Sequence, residues 1–115
     1  MKITNAEAWN RLQALKSVKE TGLLGFAIAK NMRKLADELT EYDAKRNELI
    51  QKYGTPIEGN QYQFTSENAK NYYAEMAQYD SIEIEFEPMQ VSEEVFCGGT
   101  LTSDQMYVLM WMVKE

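Results

Sequence analysis

The sequence predicts an α+β fold that is mostly helical: one long helix packed by three shorter helices, with a small antiparallel β-sheet. Three observations carry this. Residues 23–53 contain no proline and one glycine near their start, so they can run as a single helix. Ile82-Glu83-Ile84-Glu85-Phe86-Glu87 alternates apolar and acidic residues, the period-two pattern of a strand with one covered face. Thr4/Glu7 and Thr102/Gln105 have capping-box spacing and mark two helix starts. The chain has 115 residues, enough for one domain (1–115) and too few for two ordinary ones.

The elements follow in order. Ala8, Trp9, Leu12, Leu15 and Val18 give the first helix one apolar face, with Ile3 placed to staple its start, and Thr21-Gly22 ends the pattern. The second helix spans Leu23 to Tyr53 and stops at Gly54 and Pro56, a length of about 46 Å at 1.5 Å per residue. Its apolar residues Ile28, Met32, Leu35, Leu39, Tyr42, Leu49 and Tyr53 step by three and four, with Arg46 filling the gap, a heptad-like seam. That seam is closed either by the chain's own helices or by a second copy, so Met32, Leu35, Leu39, Tyr42 and Leu49 are the candidate self-association residues of a homodimer or higher oligomer. The pairs Arg33–Asp37, Lys34–Glu38, Glu41–Lys45 and Glu48–Lys52 have i,i+4 spacing and read as ion pairs on a solvated face.

Residues 57–64 read as a hairpin turning at Gly59-Asn60. Thr65 or Ser66 caps a third helix over about 67–78, with Tyr72, Tyr73, Met76 and Ala77 apolar. The strand at 82–87 ends at Pro88, and a second extended segment follows over 89–96. The sheet is therefore expected from 57–64 and 81–96. Cys97-Gly98-Gly99 is a loop. The last helix runs from Ser103 to about Lys114, and its run Met106–Val113 is apolar all round, which predicts a buried helix.

Composition narrows the function classes. The chain has no His and one Cys, so Ser-His-Asp and Cys-His catalysis lack their base, and a structural zinc site lacks ligands. There is no Walker-type or G-x-G-x-x-G loop and no EF-hand spacing. No enzyme activity, metal or cofactor is expected. One cysteine forms no internal disulfide, and the longest apolar run, eight residues, is far below the roughly 20 that span a bilayer. The expected location is the cytosol, with no membrane partner.

Charge is unevenly distributed. Residues 1–57 carry ten Lys/Arg against seven Asp/Glu, whereas 58–115 carry two against eleven, within a net charge of −6. Such a balance disfavours direct nucleic-acid binding, which needs cations on phosphates. Glu83, Glu85 and Glu87 share one strand face, and Glu93 and Glu94 follow closely. These five are the candidate partner-binding residues: a carboxylate row complements a cationic groove and can occupy its phosphate sites. The bland alternative is a solvated sheet face.

Met1-Lys2-Ile3-Thr4-Asn5, the long helix running to Arg46-Asn47-Glu48-Leu49-Ile50-Gln51-Lys52-Tyr53-Gly54, the Ile82-Glu83-Ile84 strand and Leu101-Thr102 before an apolar close follow in a characteristic order. In this layout the chain resembles a family of small uncharacterised proteins encoded by phages and prophages of Gram-positive bacteria. It departs from that family in the Tyr-rich segment 62–79 and at Cys97-Gly98-Gly99. The resemblance implies a phage product acting in the host cytosol. The expected function is that of a non-enzymatic accessory protein that binds and inhibits a host factor, such as a nucleic-acid-binding defence protein or its signalling ligand. The alternative is a structural or assembly component of the phage particle, of the tail or neck.

Overall fold

The computed structural model describes all 115 residues. In chain order the elements are β1 (Lys2–Thr4), α1 (Asn5–Lys16), α2 (Gly22–Glu38), α3 (Thr40–Tyr53), β2 (Thr55–Ile57), β3 (Gln61–Gln63), α4 (Ser66–Asp80), β4 (Glu83–Glu85), α5 (Glu93–Cys97) and α6 (Ser103–Val108), closed by a 3-10 turn at Met110–Met112. The fold is α+β and mostly helical. Three threonine caps set helix starts by local chemistry: Thr4, Thr65 and Thr102 each accept the N–H three residues on, and at Thr102 the Gln105 side chain completes the box.

The long helix is two helices. At Leu39 the backbone leaves helical geometry (φ −92°, ψ 4°). The Thr40 hydroxyl donates to the carbonyls of Ala36 and Asp37, both at 3.1 Å, so a side chain stands in for the backbone ladder there. Leu39 itself stays buried, which pins the break to the core. The molecule remains elongated, 48 × 30 × 21 Å.

The heptad seam is a real burial stripe, and this chain covers it. Leu35, Leu39, Tyr42 and Leu49 are buried and Met32 packs against the same core. Helix α1 lies on α2, and α4 lies on α3. Arg46 extends its guanidinium over the Trp9 ring, 4.8 Å from the centroid. Four of the five candidate self-association residues are buried against this chain's own helices and Met32 is half-buried beside them, because two short helices line the two halves of the seam.

The sheet differs from expectation. Two separate two-stranded ribbons form: β2 with β3, and β1 with β4. The first is the hairpin read from the sequence, begun two residues earlier at Thr55, with positive φ at Gly59 (78°) and Asn60 (57°) making the turn. In the second, Lys2, Ile3 and Thr4 pair antiparallel with Glu85, Ile84 and Glu83. The strand 82–87 therefore takes the N-terminus as its partner and not the hairpin. Ile3, Phe86 and, in part, Ile84 turn inward, whereas Ile82 stays 51% exposed, contrary to the strict alternation.

Segment 89–96 is not a strand. Asn31 on α2 holds it by both amide groups, Nδ2 donating to the Met89 carbonyl (3.0 Å) and Oδ1 accepting the Met89 N–H (2.7 Å). Val91 then bridges Val113 in parallel, and Ser92 caps the short helix α5. The C-terminal helix stops at Val108. A run apolar on all sides cannot bury every side against one core, so Leu109 and Met112 go inside while Tyr107 and Met110 stay 82% and 58% exposed. The expectation of a wholly buried helix to Lys114 fails for this reason.

Candidate functional site

The β1–β4 ribbon sets the acidic row. Pairing of Ile3 with Ile84 turns the alternate residues Glu83 and Glu85 to solvent, and Phe86, buried and bonded from its N–H to the Met1 carbonyl (2.9 Å), fixes Glu87 beyond them. Glu83, Glu85 and Glu87 are all exposed. The row is not uniformly bare. The Met1 amino group contacts Glu85 and Glu87, and this contact holds the Glu87 carboxyl below the usual glutamate range. Lys2 stands in register with Glu85, and Lys34 Nζ donates to the Glu87 carbonyl (2.8 Å). Glu83 makes no ion pair. Glu93 and Glu94 lie on another element, in the first turn of α5, where carboxylates also favour the helix N-terminus.

The four i,i+4 ion pairs read along α2 and α3 do not form. Lys34 is committed to Glu87, Lys45 pairs with Glu48 (3.1 Å), and Lys52 crosses to Glu75 on α4 (3.2 Å). Glu75 also accepts the Tyr53 hydroxyl (2.7 Å), and these two donors hold its carboxyl below the ordinary range. The cross-helix clasp outcompetes the along-helix pair because it gives one carboxylate two donors.

This rearrangement leaves Glu38 and Glu41 without cationic partners at the rim of a cleft of about 470 Å³ between the start of α1, the α2–α3 break, the end of α4 and β4. Its walls are Tyr42, Lys45 and Tyr79, with Ile82, Ile84 and Asn5 completing the lining. Tyr42 donates its hydroxyl to Asp80, and burial, then the Asp80 carboxylate, push its pKa well above the usual tyrosine value. Lys45 lies over the Tyr79 ring at 5.5 Å. Asn5 Nδ2 donates to the Tyr79 carbonyl (3.0 Å), while its Oδ1, shielded from solvent, has no donor. Nothing in the residue pattern signals this cleft, because Lys34–Glu38 and Glu41–Lys45 have the spacing of satisfied pairs and Asn5 falls at a helix start.

A second concavity of about 290 Å³ lies beside Arg11, whose guanidinium stacks 4.9 Å from the Trp111 ring and pairs with Glu7 at 3.1 Å. Arg11 is half-buried there, with the ring covering its face and Nη1 left without a hydrogen-bond partner. No three His, Cys, Asp or Glu residues are grouped to hold a metal ion, and no helix is long and apolar enough to cross a membrane. Cys97 is exposed at the end of α5. Comparison with family models, curated proteins and solved structures finds no match to this chain.

Proposed function

We propose that this chain is a non-enzymatic binding protein that docks on a basic surface of a partner protein. The observation that carries the reading is the exposed row of Glu83, Glu85 and Glu87, held in place by the β1–β4 pairing and the buried Phe86. Carboxylates in a fixed row complement cations that otherwise hold phosphates, and they speed and orient encounter. With the family resemblance, the reading becomes a phage or prophage accessory protein that inhibits a host factor in the cytosol, such as a nucleic-acid-binding defence protein. A second reading, an assembly component of the particle, is favoured by the exposed Tyr107, Val108 and Met110 near the C-terminus, since apolar side chains left in solvent suit a packed interface.

The test is a tagged pull-down from infected-host lysate, read by mass spectrometry, with wild type beside the triple variant Glu83→Gln, Glu85→Gln, Glu87→Gln. Docking through the row predicts a basic host protein captured by wild type and lost by the folded variant. Capture of phage structural proteins alone, together with co-purification with particles, would replace this reading with the assembly one.

A further inference from the structure

We infer that the cleft between α3, α4 and β4 receives a cationic side chain with an apolar stem, a lysine or arginine of the basic partner; this rests on the docking reading above. The groups left free there are acceptors. Glu38 and Glu41 stand one helical turn apart across the α2–α3 break, and the lysines that sequence spacing assigns to them are engaged with Glu87 and Glu48. Asn5 is only 6% exposed, lines the cleft, and carries an Oδ1 with no donor. That oxygen is shielded from solvent, so a ligand that brings N–H groups satisfies it by drawing the amide toward the cleft.

The rest of the lining is apolar. Ile82, just before β4, is 51% exposed, and Ile84 and the Tyr79 ring continue that surface. An ammonium or guanidinium on a chain of methylenes matches both parts, charge at the carboxylate rim and stem on the isoleucines. Lys45, the one cation of the lining, is drawn to Glu48 and to the Tyr79 ring, so it does not neutralise the rim. Ile84 lies between Glu83 and Glu85 on β4 and Ile82 immediately precedes them, which places the cleft beside the acidic row.

The probes are n-butylammonium and n-butylguanidinium, with n-butanol as the uncharged control, titrated at constant ionic strength into the ¹⁵N-labelled chain. The expected result is saturable shifts at the amides of Asn5, Tyr42, Ile82 and Ile84 for the two cations and none for butanol. Affinity should fall at least fivefold in the double variant Glu38→Gln, Glu41→Gln, whose sites are exposed. That variant should also weaken capture of the partner. Shifts that never saturate, or that persist unchanged in the double variant, overturn the inference. Saturable binding with partner capture unaffected by Glu38→Gln and Glu41→Gln overturns the assignment to a partner side chain. A partner held equally well by the Glu83, Glu85 and Glu87 triple variant overturns the docking reading instead, and the cleft titration then judges the cleft by itself.

Discussion

Asn31 shows how one polar side chain can place a whole segment. It is 0% exposed, and its amide completes both hydrogen bonds of the Met89 backbone, as a neighbouring strand would. Asn31→Leu keeps the branched shape and orphans the Met89 carbonyl and N–H in a partly buried site. A buried unsatisfied group costs ~1–3 kcal/mol, so the pair should cost about 3 kcal/mol, read as a lower urea midpoint at unchanged slope. Tyr42 carries a pH dependence of definite sign. Burial and the Asp80 carboxylate raise its pKa above the model-compound value of 10.0, so the folded state favours the neutral phenol. The stabilisation is fully present below pH 10 and is lost as pH rises above it. Stability measured from pH 9 upward should therefore fall more steeply in wild type than in Tyr42→Phe, with the buried Tyr72, shifted the same way, acting equally in both. Equal slopes would show that Tyr42 ionises freely in the fold.

Elements were legible in the sequence where their signals are local. Thr4, Thr65 and Thr102 announce helix starts because a cap and its N–H lie three residues apart. The Gly59-Asn60 turn was legible because its positive φ values need those residues. What failed depends on distant partners. Strand β1 finds β4 some 80 residues away, and nothing in Lys2-Ile3-Thr4 names that mate. The break at Leu39 falls on a residue that continues the apolar seam, with no proline or glycine to flag it. The seam itself was readable as a stripe, but its cover was not, since periodicity says that a face is buried and not by what. Leu39→Lys tests the cover. With α1 and α4 closing the seam inside one chain, the variant should lose cooperative unfolding by circular dichroism. A folded variant whose mass by light scattering is half that of wild type would instead place Leu39 between two copies.

At the scale of the molecule, charge and burial combine into a division of surfaces. The basic N-terminal half supplies α1 and α2, and the acidic half supplies β4 and α5, yet the Met1 amino group and Lys34 Nζ meet the acid row only at Glu85 and Glu87 and leave Glu83 uncovered. The candidate row was legible, because alternation along one strand fixes its face. The cleft beside it was not, because it arises from lysines that choose cross-element partners over those one turn away. Met110 shares a surface depression with Met1, whose amino group contacts Glu85 and Glu87, so the exposed apolar residues border the acidic row and the two readings differ in how far the footprint extends. Amide hydrogen exchange of the chain, free and bound to its captured partner, distinguishes them most directly. Docking through the row and cleft predicts new protection over residues 2–5, 38–42 and 79–87. Protection confined to residues 107–113 would contradict it.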